Sequence, residues 1–282
     1  MNSDSLYRFL FQQRNVRGEM VQLADSLEQM LLHHDYPLPI KQLLAELVAA
    51  TSLLTATLKL DGDIAVQIQG DGPVRFAAVN GTDQQQFRGV VRMQAEIRGD
   101  SFRDLIGEGY LLVTITPKLG ERYQGIIPLS GDSLTSTLEA YFAQSEQLPT
   151  RLYLYTDIQQ HKCRSAGFML QVLPVEQDKA KADFADLVML SDTLTQDEVF
   201  NLPAEQLLYR LFHQEQVELF APQPVSFVCG CSREKCRAAI VSLGRDLISE
   251  HIAQGELTIS CEYCNKSYLF NVDDLNALLQ QL

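Results

Sequence analysis

The 282-residue chain carries a formal net charge of −13, which argues against nucleic acid as a partner, because basic side chains that neutralise phosphate supply most of that affinity. Hydrophobic content of 46% and charged content of 21% are those of a globular protein with a sizeable core, and the length suits about two domains. No apolar run reaches the roughly 18 residues that would suggest a membrane span. The opening stretch, "MNSDSLYRFLFQQRNVRGEM", lacks the basic start, apolar stretch and small-residue cleavage site of a signal peptide. A cytoplasmic protein with no nucleic-acid and no membrane partner is therefore expected, in a compartment that keeps thiols reduced.

The first region, residues 1–176, mixes helix and strand patterns. In "EMVQLADSLEQMLLHH", Met20, Leu23, Leu27, Met30 and Leu31 recur at helical spacing, and "PIKQLLAELVAATSLLTATL" does the same. "GDIAVQIQGDGPVRFAAVNG" alternates Ile64, Val66 and Ile68 on one face, and its Gly-Asp-Gly-Pro centre reads as a hairpin turn. "GYLLVTITP", "RYQGIIPL", "RLYLYTD" and "GFMLQVLP" are further strands rich in β-branched and aromatic residues. Between them "SLTSTLEAYFAQSEQL" reads as a helix. Helices and strands in separate runs predict an α+β fold with a mixed α/β-sheet domain, not a doubly wound sheet.

The second region, residues 177–226, is acidic and predicted to be helical. Thr195 with Glu198 three positions on is a capping box, and Pro203 suits the first turn of another helix. Isolated helices under about 12–15 residues are marginal in water, so the apolar faces of Phe184, Leu187 and Val188, and of Leu207, Leu208, Leu211 and Phe212, need something to lie against. Two readings stand: an ordinary helical connector, or a metastable segment that folds only with its neighbours.

The third region, residues 227–282, holds five of the six cysteines. Ser232 is placed to cap a helix through "REKCRAAIVSL", "GRDLISEHIAQ" is a second helix, and Asn271 with Asp274 opens a third. "GELTISCEYCNKSYLFN" looks like a hairpin with Cys261 and Cys264 at its turn. A unit this small needs a metal or disulfide staple. Cys229, Cys231, Cys261 and Cys264, spaced C-x-C-x29-C-x-x-C, suit tetrahedral coordination of one Zn²⁺ by four thiolates. Disulfides and free thiols are the alternatives. Cys236, on the first helix of the tail, is expected as a small buried hydrophobe, with a ligand role in place of Cys229 or Cys231 left open.

Elsewhere, Cys163 lies in a polar loop, "IQQHKCRSAG", where His161, Lys162 and Arg164 could lower its pKa, although a lone loop cysteine is usually just that. His33, His34 and His213 have no partner spacing for a metal or a triad, and "GEGY" and "GDGP" read as turns, not phosphate loops. No enzyme is read from these motifs. Two further classes remain in view: a thiol–disulfide oxidoreductase using Cys261 and Cys264, which lacks a thioredoxin-like βαβ setting, and a zinc-ribbon module that keeps its metal permanently.

"HDYP", "LLAELVAATSLLTATLK", "DGDIAVQIQGDGP", "GERYQG", "SEQLPTR" and the tail "CGCSREKC … CEYCNKSYLFN" closely resemble the heat shock protein 33 family of bacterial redox-regulated holdase chaperones. The resemblance runs through all three regions. It implies a mixed sheet domain, a metastable helical linker and a small C-terminal zinc-binding domain, with one Zn²⁺ on the four cysteines in an inactive, reduced state. Oxidation would expel the zinc, form two disulfides, Cys229–Cys231 and Cys261–Cys264, and unfold the zinc domain and the linker. Exposed apolar surface would then hold unfolding client proteins without ATP, and the oxidised form would be a homodimer.

Overall fold

The structure, a computed structural model, describes residues 4–57, 61–129, 131–160, 162–174 and 177–282. The chain divides into two units, residues 1–227 and 228–282.

In the first unit the strands are β1 (Ser5–Phe11), β2 (Val16–Leu23), β3 (Gly62–Gly70), β4 (Val74–Thr82), β5 (Gln86–Met93), β6 (Gly109–Pro117), β7 (Tyr123–Pro128), β8 (Thr150–Gln159) and β9 (Lys162–Val172). Three short strands follow, β10 (Val217–Leu219), β11 (Gln223–Pro224) and β12 (Ser226–Phe227). One sheet runs β10-β1-β2-β9-β8, with β11 also on β1; the other runs β12-β5-β4-β3-β6-β7. The hairpin read at Gly-Asp-Gly-Pro is β3–β4, in which Ile64, Val66 and Ile68 are buried while Asp63 stays exposed.

The helices of this unit are α1 (Asp25–Leu31), α2 (Leu38–Thr57), α3 (Phe102–Ile106), α4 (Leu134–Tyr141), α5 (Gln177–Ser191), α6 (Gln196–Asn201) and α7 (Ala204–Phe212). Helix α2 shares one core with both sheets, packing Leu44, Leu47 and Val48 with Val21 and Met169 of one and Val66, Val79 and Val113 of the other. It is the one helix among the described residues long and apolar enough to cross a membrane, yet 67% of that window is buried inside the protein. That burial is what a core helix requires.

Three expectations are corrected. Met20 and Leu23 belong to β2, and the helix begins only at Asp25. The helix over "SLTSTLEAYFAQSEQL" ends at Tyr141 and continues as a π-helical turn, Phe142–Glu146. Cys163 lies in β9 and packs on the core, and burial pushes its thiol up instead of down. Its neighbour His161 lies outside the described residues.

The second unit contains α8 (Arg233–Leu243), α9 (Arg245–Gln254), the hairpin β13 (Glu256–Ser260) and β14 (Ser267–Asn271), and α10 (Val272–Leu279). Ser232 caps α8 by accepting from the Lys235 amide, and Asn271 and Asp274 form a capping box on α10. Ile240, Ile248, Phe270, Leu275 and Leu278 make its core, and Cys236 is buried among them. Arg233 ties three elements together: it donates to Leu269 O (2.6 Å) and Asp274 Oδ2 (2.7 Å) and lies over the Phe270 ring.

Candidate functional site: a four-thiol centre and a covered helical segment

Cys229 and Cys231 stand in the extended stretch that leads into α8, while Cys261 and Cys264 occupy the β13–β14 turn. The turn is closed by the Asn265 amide donating to Cys261 O at 2.7 Å and the Cys261 amide donating to Lys266 O at 2.9 Å. Asn265 holds the left-handed conformation (φ 53°) that this reversal demands; asparagine tolerates it better than most side chains. Between the pairs, Cys229 Sγ lies 3.5 Å from Cys261 Sγ and Cys231 Sγ 3.6 Å from Cys264 Sγ. All four sulphurs fall within 4.8 Å of one another, so the cluster can hold a metal ion.

The Tyr268 hydroxyl, 3.2 Å from Cys231 Sγ, brings that thiol down to about 7, with the other cysteines adding to the effect. Burial pushes Cys229 and Cys264 up. Crowding leaves room for little negative charge among four thiols unless a cation is present, and a bound cation inverts that balance. Tyr268 is the residue sequence reasoning missed here. Its position on β14 directly opposite Ile259 follows from the hairpin register, which the cysteine spacing does not state.

The helices α5–α7 lie on the first sheet. Leu187, Val199, Leu207, Leu208, Leu211 and Phe212 are buried with Phe9, Phe11, Met20 and Phe168 of the strands. Phe212 meets Phe11 edge-on at 4.9 Å between centroids, and Phe168 stacks on it at 6.4 Å. Gly18 makes room for this cluster, since a Cβ there would sit 2.1 Å from the Phe9 ring. A polar rim surrounds it. Arg14 reaches Asp183 Oδ1 (2.6 Å) and Glu215 Oε1 (3.0 Å), Tyr153 donates to Asp192 (2.6 Å), Tyr155 to Leu194 O (3.0 Å) and Gln22 to Val199 O (2.6 Å). The Thr195–Glu198 capping box is present, and Arg210 pairs with Glu198.

A small four-thiol unit, preceded in the chain by short helices that cover an aromatic sheet face, defines an α+β protein with a cysteine cluster able to hold a metal ion. The family model described as Hsp33 protein matches residues 4–271, and the chain belongs to the Hsp33 family. It is 48% identical over 276 residues to the 33 kDa chaperonin of Pseudoalteromonas translucida (strain TAC 125), covering 98% of each chain. It is 49% identical over 280 residues to that of Pectobacterium carotovorum subsp. carotovorum, covering 99% of this chain and 96% of the relative. The crystal structure of the 33 kDa chaperonin (heat shock protein 33 homolog) from Thermotoga maritima superposes with a TM-score of 0.86 over 100% of this chain and 99% of that one, at 22% identity, a likeness of fold. The family is one of chaperones, and a chaperone role toward unfolded client proteins goes with it.

Proposed function

We propose that this protein is an ATP-independent holdase whose client surface is covered while its thiols hold zinc and is released when they are oxidised. The observation that carries the reading is the burial of the α5–α7 apolar faces, in the stretch of chain that residues 213–228 connect to Cys229. We assign residues 1–176 to a core domain, 177–226 to a metastable linker and 227–282 to the zinc-binding switch. Cys229, Cys231, Cys261 and Cys264 are the ligands of one Zn²⁺, and no catalytic residue is assigned. The S···S approaches of 3.5 and 3.6 Å are close to the roughly 3.8 Å edge of a tetrahedron with 2.3 Å Zn–S bonds.

Bound zinc holds the thiolates deprotonated and contributes folding energy. Thiolate is also the form that peroxide or hypochlorous acid attacks. Each disulfide forms with loss of two electrons to the oxidant, and peroxide leaves as water. In the folded centre the closest sulphurs belong to different motifs, yet we assign Cys229–Cys231 and Cys261–Cys264 as the product bonds. Once the metal is gone the unit loses its main staple, and the shortest loops close most readily. Release of the linker then exposes apolar helices and the sheet face beneath them. A cytoplasmic location and an oxidised homodimer complete the reading, with no nucleic-acid or membrane partner.

The experiment is zinc stoichiometry and suppression of aggregation of a heat-unfolded client, measured together before and after peroxide at elevated temperature. Zinc loss should accompany the gain of activity, and reductant with zinc should reverse both. Activity in the fully reduced, zinc-loaded protein, unchanged by oxidant, would refute the switch.

A further inference from the structure

One cavity uses none of the four thiols and no side chain of α5–α7. Register pairs Arg8 with Glu19 and Leu10 with Arg17 across β1 and β2. Alternation along the strands puts these four side chains on the same face as Leu6 and Val21, which belong to the α2 core, and opposite Phe9 and Met20, which lie under the linker. They line a cavity of about 500 Å³ whose walls are completed by Ala56, Leu173 and Phe220.

Glu19 is only 2% exposed, and its Oε2 has no hydrogen-bond partner. Its Oε1 lies 3.8 Å from Arg17 Nε, outside hydrogen-bond reach. The Arg17 guanidinium is committed elsewhere, donating to Gln171 Oε1 at 2.5 Å and Thr57 O at 3.3 Å. Buried polar atoms are nearly always satisfied, so an orphaned oxygen beside an open cavity marks a place for a ligand group. Burial pushes the Glu19 carboxyl up to about 7, against the pull of Arg17 and Arg8. Near neutral pH it can therefore donate a hydrogen bond, and the partly buried Arg17 and the exposed Arg8 bring positive charge to the cavity lining.

We propose that this cavity binds an amphipathic carboxylate, its apolar body against Ala56, Leu173 and Phe220 and its head hydrogen-bonded to Glu19 in the field of Arg8 and Arg17. An amine head would meet two like charges, and an alcohol would leave the charge of Arg8 unanswered. The charged groups facing Glu19 are Arg17 on its own strand and Arg8 on β1; β9 contributes the neutral Gln171 through Arg17. Deprotonation of Glu19 sets a second negative charge against the ligand, so binding weakens as pH rises.

Calorimetric titration of the full-length, reduced, zinc-loaded chain with decanoate, decylamine and decanol below their aggregation concentrations tests this without any oxidation or chaperone assay. Decanoate should bind one-to-one and at least about ten-fold more tightly than the other two, a difference one charge-assisted contact can supply. Affinity should fall between about pH 6 and about pH 8. Arg8→Ala should weaken it, and Ala221→Trp, at an exposed position on the cavity rim, should abolish it. Should the tryptophan variant misfold, Arg8→Ala and the head-group series still decide. No saturable binding, equal affinity for all three head groups, or decanoate binding that survives Ala221→Trp in a folded variant would each overturn the proposal.

Discussion

Cys231 and Tyr268 show how one side chain can set the chemistry of its neighbour. The phenol hydroxyl at 3.2 Å stabilises the thiolate, which helps a metal displace the proton. Removing it by Tyr268→Phe should weaken zinc about ten-fold, as loss of a metal ligand's supporting hydrogen bond does, measured by competition with a chromogenic chelator. Cys236→Ser should leave zinc content unchanged, because Cys236 sits in the apolar core of its unit, whereas serine at any of the other four should reduce it. Glu19 offers a test of electrostatics far from the centre. Burial raises its folded pKa to about 7 from the ordinary 4.5, so the folded state binds more protons between those values. Its contribution is fully present below about pH 4.5 and is lost as pH rises through about 7. Denaturation of Glu19→Gln should therefore show a gain on the parent of up to about 3 kcal/mol at alkaline pH relative to acid. Equal pH dependence of the two proteins would mean the carboxyl is solvated. At this scale the spacing singled out the four thiols that the structure brings together, while leaving a ligand role for Cys236 open. Tyr268 and Glu19 were not legible, because a lone tyrosine or glutamate in a strand acquires meaning only from its cross-strand partner.

Among the elements, caps and turns were the most legible features, since Thr195, Ser232 and Asn271 act through residues three positions away. Strands β1 and β5 and helix α3 went unread. "SLYRFLF" buries residues on both faces of its sheet, which erases the alternation that identifies a half-exposed strand. Met20 and Leu23 matched a helical period by coincidence across the junction of β2 and α1. The aromatic seat of the linker was equally hidden, because Phe9, Phe11 and Phe168 come together only through the β1-β2-β9 pairing. Arg14 is the polar counterpart of that seat. Its loss in Arg14→Ala leaves Asp183, whose side chain is 7% exposed, as a nearly buried carboxylate without its cation, at a cost on the order of 2 kcal/mol. Limited proteolysis should then cut within 177–226 faster in the zinc-loaded variant than in the parent, with partial aggregation suppression before any oxidant is added. Leu208→Asp, at a buried position inside the seat, should do the same more strongly, several kcal/mol being the cost of an unpaired buried charge. Variants as protease-resistant and inactive as the parent would remove the linker from the account.

The whole molecule joins a large unit with a two-sheet core to a small unit with few buried side chains. Apparent zinc binding of about 10–16 kcal/mol in small thiolate domains exceeds what so small a core supplies by itself, so metal loss should unfold the 228–282 unit while the sheets persist. The linker is intermediate, held by aromatic packing and a handful of polar contacts, and in the proposed switch it is the segment whose cover is lost when clients bind. Hydrogen exchange of the α7 amides, Ala204–Phe212, read in one sample series with zinc content and aggregation suppression, tests that directly. On oxidation α7 should lose protection in step with zinc release and the gain of activity, while β3 and β6 stay protected. Full activity in an oxidised, zinc-free protein whose α7 amides remain as protected as in the reduced form would contradict the switch.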